Sequence, residues 1–426
     1  MGMDPWAFGL SGLLTGALVW FLEPLAHRHG LVDRPSGRKD HSLPTPITGG
    51  LAIAVAAICT LFVVDGYSTA IAAYCAASAL ILLVGFLDDA YDVRWYWRIL
   101  CHVAAGLIMV YWGGVRVENL GAIFTETPIS LGIWSAPFTL FVTVGLINAM
   151  NMADGSDGLA GSLCLAALLM LGAAAVYAGN LALATTIVPL AAAVAAFLLF
   201  NMRFPWQRRA RVFLGNAGSA FLGFTLAWIV FRLTQDAAHP VSPVLTPWFL
   251  LVPIIDCVVL IVRRVRMRRS PFHADRGHIH HLMLDAGFKP AQVVAVLVSV
   301  SLVLGALATL VLRANSDGEN LLVAGFVMLT GSYYWITSRR GRALLFFRRM
   351  HRFLTPSGTV VATPSLAHEL EGLAEVASPA PARAGDGGVH AMSLEYRKTC
   401  SEIQPKHGPR RQVRSEKNPA SRKSGS

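Results

Sequence analysis

Long apolar stretches separated by short polar segments dominate this chain. Several stretches reach about 18 residues or more, the length an α-helix needs to cross a bilayer. Because the apolar runs are continuous rather than alternating, they predict spanning helices and disfavour a β-barrel. Windows of about 19 residues predict eleven spans, at 6–23, 49–64, 69–87, 99–112, 137–150, 159–178, 181–200, 217–234, 244–262, 291–311 and 320–337.

The composition supports the same conclusion. The chain has 426 residues, of which 54% are hydrophobic and only 14% charged, and a soluble protein of this size carries far more charge. The first apolar stretch lacks a positively charged segment before it, so we interpret it as a spanning helix rather than a signal peptide. The predicted fold is an all-α, polytopic integral membrane protein with about eleven helices.

The basic residues predict the orientation. Nearly all arginines and lysines fall in one set of alternate loops and in the C-terminal segment, while the other set holds Arg116 and Arg313. The positive-inside rule makes the basic loops cytoplasmic, which places the N-terminus outside and the C-terminus inside. This topology signal, with attraction to anionic membrane lipid, accounts for most of the net charge of +11 without a nucleic-acid partner.

Composition also divides the chain into two parts. Residues 1–350 form the predicted polytopic membrane domain, whereas residues 351–426 are rich in Pro, Ala, Gly and Ser and then in Lys and Arg. A segment of that kind buries too little apolar surface to offset the entropy of ordering. We therefore predict a disordered, basic cytoplasmic tail.

Five polar segments all fall in the predicted cytoplasmic loops, at 33–50, 88–98, 148–161, 201–219 and 263–281. The predicted external loops are short or lack comparable clusters. This asymmetry indicates that one face of the membrane carries a functional site.

The segment at 88–98 begins with Asp88 and Asp89. Adjacent carboxylates at a membrane edge repel one another and lose hydration, and a divalent cation reverses both costs. Mg²⁺ takes hard oxygen ligands and is commonly held by one or two carboxylates together with substrate phosphates. Taken alone, the pair is also compatible with a solvated loop, since short motifs match by chance.

The segment at 148–161 repeats a spacing of three. Asn148 and Asn151 are three residues apart, as are Asp154 and Asp157. In a helical turn each pair lies on one side. The alternative is a capped loop between two helices, because Asn and Asp commonly serve backbone groups at helix ends.

The last two segments add phosphate-binding chemistry. FLGNAGS places Asn216 at the start of a helix, where free N–H groups and the positive dipole end suit a phosphate. A glycine-rich cap for close helix packing explains it equally well. HADRGHIHH carries Arg276, His278, His280 and His281 without the cysteines or HExxH of a zinc site. These side chains suit contacts to phosphate, although a surface histidine run remains an alternative.

Together these parts predict phosphoryl transfer at the bilayer surface, where catalysis is mostly positioning and charge stabilisation. The chain has no P-loop and no GxGxxG, which disfavours a kinase or ATPase. One substrate is expected to be a lipid phosphate and the other a soluble phosphate donor. The competing class is a transporter or lipid-sugar flippase, but transporters usually place ionisable residues near the midplane.

The blocks DRPSGRKDH, LDDAYDV, NAMNMADGSDGLAG, FLGNAGS and HADRGHIHH resemble, in order, the signatures of the polyprenyl-phosphate N-acetylhexosamine-1-phosphate transferases. The resemblance covers about residues 6–350. It implies a bacterial inner-membrane enzyme that takes UDP-GlcNAc and undecaprenyl phosphate, makes a sugar-diphospho-lipid and releases UMP. LTQDAAHPVSP and SPFHADRGHIHH are more similar to the branch that starts O-antigen synthesis than to the muramoyl-pentapeptide branch. Another UDP-amino sugar and a homo-oligomer stay open.

The resemblance also implies roles for individual residues. Asp88 and Asp89 would hold Mg²⁺ or Mn²⁺, and Asp154 and Asp157 would complete the catalytic acids. The residues expected to contact the nucleotide, sugar or phosphates are Lys39, His41, Asn148, Asn151, Asn201, Arg276, His278, His280 and His281.

One position departs from the family pattern. Asn216 stands where the wider superfamily usually has the Asp of G-D-x-G-S. An asparagine still offers a neutral carbonyl oxygen as a metal ligand. We expect Asp154 or Asp157 to supply the missing charge. The expected reaction is direct attack of the lipid phosphate on the sugar-linked phosphorus.

Overall fold

A computed structural model of the chain describes residues 5–33, 43–271, 275–315 and 317–355. Within them the chain is mostly helical. The fourteen helices are α1 Pro5–His29, α2 Gly49–Asp65, α3 Thr69–Tyr91, α4 Trp95–Leu107, α5 Ser135–Ala153, α6 Leu159–Tyr177, α7 Leu181–Asn201, α8 Gly215–Thr234, α9 Thr246–Phe249, α10 Leu251–Arg266, α11 Ile279–Asp285, α12 Pro290–Ala314, α13 Gly318–Thr337 and α14 Arg340–Leu354.

The eleven predicted spans overlap α1 to α8, the pair α9 and α10, α12 and α13, whereas α11 and α14 were not predicted. A multi-pass membrane fold is confirmed. Seven helices in the described residues are long and apolar enough to cross a membrane, and two sharply bent pairs raise the number to nine. The bent pairs join Pro243–Phe249 to Leu251–Arg266 at 87° and Gly318–Thr337 to Arg340–Leu354 at 107°. The apolar helix Gly49–Val64 is shorter, and α4 continues into a π-helical turn, Ile108–Trp112. The count of eleven spans stays a prediction.

Helix α8 lies at the centre of the bundle. It packs against α2, α3, α5, α6 and α7, and 94% of its most apolar window is buried inside the protein. Small residues permit this close packing at the start of the helix. A Cβ on Gly50 would lie 2.1 Å from the Gly218 Cα, and one on Gly85 would lie 2.4 Å from the Ala217 Cα. Glycines of FLGNAGS thus bring backbones together, as the packing alternative predicted.

Short backbone links join the same end of α8 to its neighbours. A two-residue antiparallel ribbon pairs β1 Val32–Asp33 with β2 Thr45–Pro46. The Phe213 amide donates to the Pro46 carbonyl at 2.7 Å, and the Gly49 amide donates to the Phe213 carbonyl at 3.0 Å. These bonds fix the segment before α8 against the start of α2.

The C-terminal helices form a second apolar cluster. Buried residues of α11, α12 and α14 pack together, among them Met283, Val293 and Phe347. Helix α14 continues to Leu354, beyond the predicted domain boundary at residue 350. The rest of the predicted tail, with Lys39 and His41 of the first polar segment, lies outside the described residues.

Candidate active site

The polar segments meet where α3 ends and α8 begins. Asp89 lies in the last turn of α3, and its carboxylate accepts hydrogen bonds from two backbone amides of α8. The Asn216 amide donates to Oδ1 at 2.8 Å and the Ala217 amide donates to Oδ2 at 3.2 Å. Free N–H groups at a helix start favour such a charge. Two of the amides that we predicted would bind phosphate are therefore engaged by Asp89.

Asp88 has a different environment, because adjacent residues of a helix point about 100° apart. Its Oδ2 accepts a hydrogen bond from Arg98 Nη1 at 2.7 Å. Its Oδ1 is buried and has no hydrogen-bond partner among the described residues. The carboxylate faces a cavity of about 20 Å³ that is also lined by Arg98, His102 and Asn216. A space of this size accommodates one water or one small ion.

The two asparagines of α5 line the same cavity, as their spacing predicted. Asn151 Nδ2 donates to Asn216 Oδ1 and to Ser219 Oγ, each at 3.0 Å. Asn148 Nδ2 donates to the Val144 carbonyl of its own helix at 2.7 Å. Asn151 thus joins the end of α5 to the start of α8 and orients the Asn216 amide group.

Asp154 follows α5 and lies within electrostatic range of Asp89. Burial, reinforced by the negative charges of Asp89 and Asp157, raises the pKa of Asp154 to about 7. Desolvation and like charge both disfavour the ionised carboxylate. A cation placed here would relieve both effects, which makes this position a candidate metal site.

Asp157 is bound by the segment between α7 and α8. Its Oδ2 accepts a hydrogen bond from Arg203 Nε at 2.7 Å and another from the Ala210 amide at 3.2 Å. Both donors belong to the segment between α7 and α8. Asp157 therefore fixes this segment, and the spacing of three does not give it the same surroundings as Asp154.

Asn201 uses both ends of its side chain on the backbone. Its Oδ1 accepts from the Gly158 amide at 2.9 Å, and its Nδ2 donates to the Val212 carbonyl at 2.8 Å. The side chain is buried. In this structure Asn201 joins the start of α6 to the segment before α8, a role that the sequence did not indicate.

The histidines are positioned by an acid that sequence reasoning missed. His278 Nδ1 lies 3.0 Å from Asp256 Oδ2. Asp256 Oδ1 accepts from the Ile279 amide at 3.0 Å and from the Tyr333 hydroxyl at 2.7 Å. Asp256 lies within the apolar run LVPIIDCVVL. An isolated acid within a predicted span is itself a functional signal, and it would have found this residue.

His280 connects the histidines to the Asp154 loop. A Cβ on Gly155 would lie 2.1 Å from His280 Nε2, so only glycine permits this approach. The ring is buried, and its Nε2 has no hydrogen-bond partner among the described residues. Burial, together with the neighbouring His281, lowers the pKa of His280 to about 3. His280 is therefore neutral at physiological pH, and its ring lies 4.2 Å from that of His281.

Arg276 lies at the exposed edge of this region. Its Nη2 is 3.4 Å from Asp285 Oδ1, and Arg340 pairs with the other oxygen of Asp285 at 2.7 Å. Of the remaining predicted substrate residues, Lys39 and His41 lie outside the described residues. The structure thus brings Asp88, Asp89, Asn148, Asn151, Asp154 and Asn216 together, with His280 beside Gly155.

The donor set suits a hard cation. The part of the chain that the structure describes contains no group of three or more His, Cys, Asp or Glu side chains arranged around a metal position. Asp88, whose Oδ1 is buried and has no hydrogen-bond partner among these residues, nevertheless lines a cavity together with Asn216. Carboxylate and amide oxygens are ligands that Mg²⁺ accepts, with water and substrate phosphates completing its coordination.

Comparison with known proteins finds a family match and similar sequences. Residues 71–234 match glycosyl transferase family 4, and this region runs from α3 to α8. The undecaprenyl-phosphate α-N-acetylglucosaminyl 1-phosphate transferase of Escherichia coli K12 is 33% identical over 343 residues, covering 80% of this chain and 93% of that protein. The chain belongs to this transferase family. The enzyme of that name from Yersinia pestis is 32% identical with the same coverage. That from Haemophilus influenzae is 33% identical over 78% of this chain and 93% of its own.

The family assignment confirms the resemblance drawn from the five polar segments. In this family member the match at 71–234 includes both acid segments and Asn216. The histidines fall outside this match. They lie within the longer alignments, because a stretch of 343 residues in a chain of 426 must include α11.

Proposed function

We propose that this chain transfers GlcNAc-1-phosphate from UDP-GlcNAc to undecaprenyl phosphate, giving a diphospho-lipid-linked sugar and UMP. The observation that carries the proposal is the meeting of Asp88, Asp89 and Asp154 with Asn216 at one end of the helical bundle. The relatives' names supply the substrates. The product would start a cell-surface polysaccharide of the O-antigen type.

In the proposed reaction, an oxygen of the lipid phosphate attacks the sugar-linked phosphorus of UDP-GlcNAc. The bond from that phosphorus to the bridging oxygen breaks, and UMP leaves with the bonding electrons. A lipid phosphate is largely ionised near neutral pH, since its second pKa is about 6. The attack therefore needs little help from a base, and positioning dominates.

A divalent cation, Mg²⁺ or Mn²⁺, would neutralise phosphate charge in this site when bound. Asp88, Asp89 and Asp154 would hold it together with the Asn216 carbonyl. The three carboxylates replace the charge that Asn216 does not provide. Neutral His280, with His281 beside it, would orient phosphate oxygens beside the Asp154 loop, while Asn148 and Asn151 would fix the nucleotide side.

The proposal includes a topology. Eleven spans, with the N-terminus outside and the C-terminus in the cytoplasm, would place this site on the cytoplasmic face of the bacterial inner membrane. UDP-sugars are soluble, so the site must open to the compartment that contains them. The basic loops support this orientation through the positive-inside rule.

The test uses membranes that contain the chain, undecaprenyl phosphate, Mg²⁺ and radiolabelled UDP-GlcNAc. We expect label in the lipid phase and an equal amount of UMP, both lost on chelation and in Asp89→Asn. Asp236→Asn is the matched control, because Asp236 pairs with His239 and Asn180 in a predicted external segment. Label from another UDP-amino sugar, but not from UDP-GlcNAc, would change the assigned substrate. No lipid label with any of them would refute the transferase.

A further inference from the structure

The axis of α14 bends sharply away from the axis of α13, by 107°. Helix α13 has 20 residues, which give a length of about 30 Å, enough to span the hydrocarbon core. Trp335 near the end of α13 is 63% exposed, and the Arg342 guanidinium lies 4.0 Å from the centre of its ring. Exposed tryptophans at the end of a span typically lie at the interface. Helix α14 therefore begins at this level and runs along the membrane plane.

One side of α14 is fixed to the protein. Ala343, Leu344 and Phe347 are buried in the cluster formed with α11 and α12. Arg340 pairs with Asp285 of α11 at 2.7 Å. Because α11 also carries His280 and His281, α14 lies at the same end of the molecule as the candidate active site.

The other side of α14 combines aromatic and basic residues. Phe346 and Phe353 are 45% and 83% exposed, and residues seven apart share a side of a helix. Arg349 and Arg352 are exposed on the side of α14 opposite its buried residues, whereas Arg348 is half-buried on the flank beside Leu344. A helix with apolar rings and arginines on its free surface has the composition of an interfacial helix.

We propose that the free face of α14, formed by Phe346, Phe353, Arg349 and Arg352, binds the headgroups of anionic phospholipids. The arginines contact headgroup phosphates, and the phenylalanine rings enter the boundary of the acyl chains. Charge favours lipid over a second copy of this chain, because a second copy would bring the same arginines to a symmetric contact. Guanidinium groups also recognise phosphate by paired hydrogen bonds.

The expected size of the effect follows from membrane electrostatics. Each Lys or Arg near an anionic surface changes binding by roughly fivefold. Removing Arg349 and Arg352 should therefore lower the affinity for an anionic lipid by about 25-fold. Affinity for a zwitterionic lipid should stay the same, because no net lipid charge is involved.

The test titrates the detergent-solubilised full chain with phosphatidylglycerol or phosphatidylcholine and counts bound lipids by native mass spectrometry. We expect Arg349→Gln/Arg352→Gln to weaken phosphatidylglycerol binding alone. Arg208→Gln/Arg209→Gln is the matched control, since it removes two exposed arginines from a different segment. Phe346→Ser/Phe353→Ser should weaken both lipids.

Three results would overturn the proposal. Phosphatidylglycerol affinity that is unchanged in the α14 arginine pair would remove the headgroup contact. An equal loss in the control pair would show a general charge effect without a site on α14. A phenylalanine pair that converts a dimer to a monomer with unchanged lipid binding would make a second copy the occupant of this face.

Discussion

Asp256→Asn tests whether the buried acid orients the predicted substrate-binding histidines or only stabilises the fold. The carboxylate accepts three hydrogen bonds, from the His278 ring, the Ile279 amide and the Tyr333 hydroxyl. An asparagine keeps the shape but has only one acceptor oxygen. Its NH₂ group would face His278 Nδ1, and that contact persists only if the ring proton moves to Nε2. The substitution therefore changes His278 Nε2, the ring nitrogen that points away from Asp256, from a hydrogen-bond acceptor to a donor.

The magnitude follows from the charge of the acceptor. Hydrogen bonds to a charged group exceed neutral ones by about 1 kcal/mol each, so three weakened bonds lower the free energy of unfolding by about 3 kcal/mol. Misdirection of the His278 ring should lower kcat by about 10- to 100-fold, by analogy with the loss of groups that orient a histidine. Binding of UDP-GlcNAc should change less than turnover.

The assay compares kcat, KM and thermal unfolding of Asp256→Asn with those of Tyr333→Phe. The phenylalanine variant removes one hydrogen bond but leaves the carboxylate on His278. It should lose about 1 kcal/mol of stability and keep nearly normal kcat. If both variants lose turnover in proportion to stability, or if Asp256→Asn keeps wild-type kcat, Asp256 does not position His278.

Three other residues give sharper single tests. Asn216→Asp places a further carboxylate beside Asp89, and ligand charge strengthens binding of a hard cation. The Mg²⁺ concentration that gives half-maximal activity should therefore fall by about tenfold, and an increase in that concentration would contradict this. Asp157→Asn breaks the charged bond to Arg203 and should lower the free energy of unfolding by about 1–2 kcal/mol, with an unchanged melting temperature as the contrary result. The low pKa of His280 means that unfolding takes up a proton between about pH 6.5 and 3, so stability should fall on acidification by about 1.4 kcal/mol per pH unit. His280→Gln should remove that slope in melting experiments, and an identical slope would exclude His280 as its source.

The membrane fold was readable from the sequence because it depends on local physics. A backbone in lipid must satisfy its own hydrogen bonds, so a long apolar run is sufficient evidence for a helix. The acid and amide segments were also visible, since polar residues beside apolar runs are costly without a function. The break at Leu250 between α9 and α10 was not visible, because the predicted span 244–262 reads as one apolar stretch.

The individual partners depended on contacts between distant segments. Asp89 accepts from the start of α8, Asp157 pairs with Arg203, and Asn201 bonds to two backbone groups. None of these distances follows from spacing along the chain. The sequence pattern therefore predicts the same role for both acids of a neighbouring pair, although each acid has its own environment in the folded protein.

The central position of α8 has a consequence for how the protein is made. Helices α2, α3, α5, α6 and α7 all precede α8 in the chain, and all of them contact it. During synthesis they enter the membrane before their common neighbour exists. Helices α3 and α5, whose most extensive contacts are with α8, therefore cannot reach their final packing until residue 234 has emerged, and a nascent chain stopped before residue 215 would lack the helix that joins them to α2, α6 and α7. Quality-control proteases should degrade such truncated chains quickly, whereas chains that include α8 should persist.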